Sequence, residues 1–204
     1  QVANELRQHD LHALALHGDL EQFERDQVLT QFSSKSSSIL VATDVAARGL
    51  DVKELAAVIN FELSHDPEVH IHRIGRTARA GSKGLALSLF TDSESRRLQA
   101  IEEYQGSPAI LASTSTLKVP KNLKLYPPMV TVFVNAGRKD KLRPGDLLGA
   151  LTAGGEIAGE QIGKIKLFDK VAYVAVEQKV AKLALTILSD GKIKGRKFRV
   201  RLLR

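Results

Sequence analysis

Ile39-Leu40-Val41-Ala42 is an unbroken apolar run, with the polar loop Ser33–Ser38 before it and Thr43-Asp44 after it. A short run of this kind, bounded by turn signals, fits a strand covered on both faces, as in a parallel sheet flanked by helices. It leads into an Ala-rich turn that stops at Gly49. Upstream, the pattern predicts the end of an amphipathic helix from Val2 to His9 and a strand over His12–Leu16. A helix follows from Glu21 to about Phe32, with Val28, Leu29 and Phe32 on its buried face. Downstream, Ala57–Phe61 is the next strand and Pro67 opens another helix. Gly84–Phe90 is a further strand, and Thr91-x-x-Glu94 forms a capping box for a helix reaching Tyr104. Strands alternating with helices predict βα units on a parallel sheet. Functional groups then gather beyond the carboxyl ends of the strands, at His17–Asp19, Thr43–Asp51 and Glu62–Asp66.

Gly106–Pro128 changes character, with Ser, Thr and four prolines and no clear period. It reads as a linker. Beyond it, Val130–Val134 is a strand, and Pro144 introduces a helix ending at Gly154-Gly155. Ile162–Phe168 and Val171–Val176 pair as a hairpin about Asp169-Lys170. Val180, Leu183, Ala184, Ile187 and Leu188 keep helix spacing, and Lys197–Leu203 alternates as a last strand. The order βαββαβ predicts a small ferredoxin-like α+β domain. The division expected is 1–106, a linker over 107–128, and 129–204.

The 204 residues, 43% of them hydrophobic, suit one large or two small domains with real cores. Without cysteine, neither a disulfide nor a thiolate metal site can form. No apolar run is long enough to span a bilayer and no secretory signal opens the chain, so a cytoplasmic protein without a membrane partner is expected. The chain starts at Gln1 inside a helix-like pattern, and reads as a fragment. Its net charge of +7 is unevenly spread. Residues 1–125 hold 14 Lys and Arg against 16 Asp and Glu; residues 126–204 hold 16 against 7. So basic a C-terminal part suggests a polyanion partner.

His70–Gly81 reads H-I-H-R-I-G-R-T-A-R-A-G, with Arg73, Arg76 and Arg79 at every third position and no acid between Glu68 and Asp92. Residues three apart share a helix face, so the spacing predicts three guanidiniums side by side. Such forks suit phosphate. In Ala42–Asp51, small side chains let a ligand approach the backbone, and Asp51 can accept from a ribose hydroxyl; in isolation, the segment reads rather as a helix cap plus a turn carboxylate. Gln22 and Arg25 at a helix start suit a phosphate backbone, or else surface ion pairing. His70 and His72, two apart, do not face each other on a helix, and His9, His12 and His17 lack a partnering acid cluster, so no metal site is expected among the six histidines. No Gly-Lys-Ser/Thr phosphate loop and no Asp-Glu pair occurs. In any ATP chemistry, the arginines must therefore act on a nucleotide held elsewhere.

His72–Gly81, Ala42–Asp51, His17-Gly18-Asp19 and Gln22-x-x-Arg25, in this order and spacing, resemble the second RecA-like domain of DEAD-box RNA helicases. The resemblance covers about Gln1–Tyr104, without that domain's opening strand or the first RecA-like domain. It implies Arg76 and Arg79 as arginine fingers, Asp51 as the ribose contact, and His72 as the coupling between nucleotide and RNA sites. It implies Gln22, Arg25, Thr43 and Gly49 as RNA-backbone contacts. Ala78 stands where the family usually has Gly. ATP and Mg2+ would be held mainly by the first RecA-like domain, which becomes a partner.

Arg143-Pro-Gly-Asp146, Ile162-Gly-Lys-Ile165, Tyr173-Val-Ala-Val176 and Gly191-Lys-Ile-Lys-Gly195 are similar to the RRM-like domain of one bacterial branch of that family. This implies binding of a 23S ribosomal RNA hairpin and a part in 50S subunit assembly. RRMs usually stack bases on central-strand aromatics. Here the strands offer Tyr173 and Phe133, and alternation leaves open that Phe133 faces the core. Contacts are therefore expected to lean on Arg138, Lys139, Lys141, Lys164, Lys166, Lys194, Arg196 and Lys197 beside Tyr173. The fragment is expected to bind RNA without hydrolysing ATP, and an exposed sheet edge invites self-association. The alternatives are a non-enzymatic RNA chaperone or assembly factor on a RecA-like scaffold, and half of a DNA helicase.

Overall fold

The computed structural model describes residues 1–47, 55–77, 84–118, 120 and 125–203. They form two compact units, Gln1–Arg48 with Asn122–Arg204, and Gly49–Lys121.

In the first unit, α1 (Val2–Gln8) precedes β1 (Ala13–Leu16), α2 (Gln22–Ser33), β2 (Ile39–Ala42) and α3 (Asp44–Ala47). β1 and β2 pair in parallel, Leu16 opposite Ala42, with α2 as the crossover. The second unit repeats the plan. β3 (Ala57–Asn60) and β4 (Leu85–Ser88) are parallel, Asn60 opposite Ser88, and α4 (Pro67–Ile74) lies between them in sequence. Pro67 sits in the first turn of α4, where its missing N–H costs nothing, and Asp66 caps that turn by accepting from the Glu68 amide at 2.9 Å. Glu94 folds back onto the Thr91 amide at 3.0 Å, so the capping box forms; a 3-10 turn, Asp92–Glu94, then leads into α5 (Ser95–Gln105).

The C-terminal part of the first unit holds β5 (Met129–Val134), α6 (Pro144–Thr152), β6 (Ile162–Leu167), β7 (Ala172–Glu177), α7 (Ala181–Asp190) and β8 (Val200–Leu203). The strands make one antiparallel sheet in the order β6-β7-β5-β8, the ferredoxin-like arrangement that the βαββαβ order predicts. One face is apolar because alternate residues of β5 and β7 point the same way. Val132, Val134, Val174 and Val176 pack there against Leu147 and Leu151 of α6 and Ala184 and Leu188 of α7. Each fully buried valine or leucine stabilises by roughly 1.5–3 kcal/mol.

The opposite face is covered as well. Phe133 stands across from Tyr173 in the β5–β7 register, so it faces away from the core of α6 and α7. Its ring meets Phe23 of α2 edge-on at 6.4 Å, and Arg201 of β8 reaches Gln27 at 3.5 Å. Thr131 donates to Ser36 at 2.8 Å, in the loop after α2. The helix α2 thus has a second, largely polar contact face. Its fully buried residues are Thr30 and Gln31, while Val28, Leu29 and Phe32 are only half-buried. No helix among the described residues is long and apolar enough to cross a membrane.

Candidate functional site

The first cluster lies at the end of α4. His72 is exposed; Arg73 and Arg76 are half-buried. The helix stops at Ile74, with Gly75 as its cap, so Arg76 does not continue the helical face that the three-residue spacing predicts. The chain turns there because the Arg76 amide bonds to the Arg73 carbonyl and the Thr77 amide to the Ile74 carbonyl. Residue 55 then captures it: Leu55 N–H donates to the Arg76 carbonyl at 3.1 Å, and the Thr77 hydroxyl donates to the Leu55 carbonyl. On the other side, Arg73 donates to the Glu62 carbonyl at 3.1 Å and to the Asn60 side-chain oxygen at 3.4 Å. His70 is buried beneath; desolvation first, and then the Arg73 charge, hold its pKa below the usual value. Asp51, Gly49 and Arg79 lie outside the described residues.

A second cluster closes the carboxyl end of β1 and β2. Arg25 donates to the carbonyls of His17 and Ala46, each at 3.4 Å, so one guanidinium ties the loop after β1 to α3. The Thr43 amide bonds to the Leu16 carbonyl, leaving Thr43 exposed on the same rim. Gln22 is exposed and donates to Asp26 at 3.0 Å. The structure therefore brings Gln22, Arg25, Thr43 and His17 together. Glu21 and Glu24 sit in the same first turn, with Glu24 accepting from the Glu21 amide at 3.0 Å, which offsets the positive helix end.

The third cluster is at the sheet end where β5 leaves and β8 begins. Arg138, Lys139, Lys141, Lys194, Arg196 and Lys197 are all exposed there. Lys194 donates to the Lys141 carbonyl at 3.0 Å, and Arg196 pairs with Asp140 at 3.4 Å, joining the loop after β5 to the loop before β8. Lys139 pairs with Asp169 of the β6–β7 turn at 3.8 Å. Lys166, on β6 across from Tyr173, places its ammonium 5.0 Å from the Phe168 ring centre. Lys164 lies farther along β6 and is exposed.

Tyr173 differs from its expected role as a stacking platform. It is 1% exposed, with Phe133 and Phe168 edge-on to its ring at 5.7 and 5.6 Å, so no base can lie on it in this arrangement. The reason is α2, which occupies the side of the sheet where a base would stack. Burial pushes the Tyr173 pKa up to about 12, Asp26 adding to the rise and Arg201 opposing it. Two contributors escape sequence reading. Asn60 is an unremarkable strand-end polar residue, and Arg201 belongs to an alternating strand, although its guanidinium lies 4.7 Å from the Phe133 ring centre. Among the described residues no group of three or more His, Asp or Glu could hold a metal ion.

Residues 1–81 match the helicase conserved C-terminal domain, and residues 131–202 match the DbpA RNA binding domain. The ATP-dependent RNA helicase DbpA of Escherichia coli (strain K12) is 50% identical over 199 residues, which is 94% of this chain and 42% of that protein. The protein of the same name from Bacillus subtilis (strain 168) is 32% identical over 205 residues, 91% of this chain and 43% of that one. The chain thus spans less than half the length of these relatives. Among solved structures, the E. coli DEAD-box protein SrmB bound to regulator of ribonuclease activity A is similar at 33% identity and a TM-score of 0.53, over 59% of this chain and 74% of that one. Helicase and RNA-binding matches follow one another along a single chain, and the chain belongs to the DEAD-box helicase family.

Proposed function

We propose that this chain is the C-terminal portion of an ATP-dependent RNA helicase that opens short ribosomal RNA duplexes during assembly of the large (50S) subunit in the cytoplasm. The observation that carries the reading is one chain joining two features. One is an arginine, Arg76, whose backbone is held on both sides at the end of α4. The other is a sheet end that gathers six exposed cations. An arginine whose backbone is already fixed can bring its guanidinium to charge developing on a transferring phosphoryl group with less reorganisation.

In this reading residues 1–106 are the RecA-like part, 107–128 the linker and 129–204 the RNA-binding domain. Arg76 and Arg79 reach an ATP whose phosphates and Mg2+ are held by a first RecA-like domain of the same protein, with Asp51 at the ribose. His72 couples that site to RNA, which Gln22, Arg25, Thr43 and Gly49 hold by its backbone. The cations of the β5 and β8 loops, with Lys164 and Lys166, bind a 23S ribosomal RNA hairpin. Tethering raises the local concentration of a neighbouring duplex, so the helicase core can be nearly blind to sequence. The 204-residue chain by itself binds RNA and does not turn over ATP. β1, β2, β3 and β4 each leave one edge unpaired among the described residues, which supports pairing with a second copy.

The test is Arg76→Ala in the full-length helicase. RNA-dependent ATP turnover should fall by on the order of 10³-fold or more, while hairpin binding by the 204-residue chain stays as it was. Undiminished turnover sinks the reading.

A further inference from the structure

Asn60 ends β3 and is 3% exposed, a buried primary amide whose two ends are both engaged. Its side-chain nitrogen donates to the Ser88 hydroxyl at 3.0 Å, directly across the β3–β4 pair, and its oxygen accepts from Arg73 at 3.4 Å. The backbone is fixed too, since the Leu89 amide bonds to the Asn60 carbonyl at 2.9 Å. A carboxamide can donate to one neighbour while accepting from another. Arg73 stands one residue before the end of α4, and Arg76 follows three residues later.

We infer that Asn60, oriented by Ser88, is a positioning residue for Arg76: it anchors the last turn of α4, through Arg73, to the carboxyl end of the sheet. This rests on the helicase reading above. At its start, α4 is held by the Asp66 cap. Beyond its end, the chain is held by Leu55. Between them, Arg73 links the helix side of the turn to the sheet through the Glu62 carbonyl and the Asn60 amide. The carbonyl fixes one direction; the amide, locked by Ser88, supplies a second. A guanidinium held from two directions sets the rotation of the helix end as well as its distance from the sheet. Losing the amide removes one of the two directions that set the rotation of the turn, and small misplacements of a reacting group are costly.

The test uses the full-length helicase, with Arg76→Ala measured alongside. Asn60→Leu keeps the branched heavy-atom shape and removes both hydrogen bonds; it should lower kcat for RNA-dependent ATP hydrolysis by on the order of 10²-fold with little change in KM for ATP. Asn60→Asp still accepts from Arg73 and from the Ser88 hydroxyl, so it should restore turnover to near the parent value. Ser88→Ala should fall between the two. Hydrogen exchange on the 204-residue chain supplies a readout independent of ATP. Asn60→Leu should lose protection at the Arg76 and Thr77 amides and keep it throughout β5, β7 and β8. If Arg76→Ala abolishes turnover and Asn60→Leu does not, the positioning role fails alone. If Arg76→Ala leaves turnover intact, the helicase reading falls and takes this role with it. A loss that Asn60→Asp shares, with protection gone across residues 55–105, marks a residue needed only for folding and overturns the inference.

Discussion

The Tyr173 hydroxyl is buried and has no hydrogen-bond partner among the described residues. An orphaned buried hydroxyl costs roughly 1–3 kcal/mol, so removing it relieves a penalty. Tyr173→Phe should therefore leave the chain as stable as before or raise its melting temperature. Tyr173→Ala should cost about 3–5 kcal/mol through the cavity it leaves. The raised pKa gives the sign of a pH effect. The folded state keeps its phenolic proton after the unfolded chain has lost its own. Stability is therefore fully present below pH 10, the ordinary value, and declines as pH rises toward about 12. Tyr173→Phe should remove that alkaline decline; thermal unfolding at pH 9 and 11 compares the two, and an unchanged decline rules the assignment out. Tyr173 was readable in the sequence as an aromatic on a central strand, but its use was not. The residue that changes its meaning is Phe23, hidden between Gln22 and Arg25, whose pattern points to a different task.

At the level of elements, the parts with local signals were legible. Pro67 starts α4, Thr91 and Glu94 cap the turn before α5, and the 2.0 and 3.6 periods of residues 129–203 give the βαββαβ order. The end of α4 was not, because Arg73-x-x-Arg76 has the same spacing whether or not the helix continues. What decides it is Leu55, distant in sequence, which takes the Arg76 carbonyl and the Thr77 hydroxyl. The half-buried side of α2 misled in the same way, since its second covered face is made by the β5–β8 sheet, more than a hundred residues on. A testable case is Gly137, at the joint between β5 and the basic loop. A methyl group there would run into the Phe168 carbonyl and the Asp169 backbone. These are the groups whose carbonyls accept from the Arg138 and Lys139 amides at 2.9 Å. Gly137→Ala must push the β6–β7 turn away, and overpacking of this sort costs about 1–3 kcal/mol. Denaturant unfolding should register that loss. Hairpin RNA affinity should fall with it, because the displaced turn is what holds the Arg138 and Lys139 backbone in place.

For the whole molecule, the charge asymmetry between residues 1–125 and 126–204 gathers six exposed cations at the β5 and β8 loops. Three of the six cations there are partly neutralised: Lys139 by Asp169, Lys194 by Asp146 and Arg196 by Asp140. Lys141 and Lys197 make no ion pair among the described residues, so they have no competing anion to give up when phosphate arrives. Surface ion pairs contribute little to stability but must be broken before the cation can serve a new partner. Counterion release then ranks the sites. Lys141→Gln and Lys197→Gln should each weaken binding of a 23S ribosomal RNA hairpin and lower the slope of log affinity against log salt by about 1. Arg96→Gln, on exposed α5, should change neither. Lys194→Gln should lower the slope less than Lys141→Gln, and it should also loosen the loop by removing the bond to the Lys141 carbonyl. Titrations at two or more salt concentrations, against a scrambled hairpin, separate these terms. Phosphate contacts alone would weaken both RNAs equally, whereas base contacts would weaken only the true hairpin. Equal slopes for all four variants and the parent would remove this sheet end from the interface.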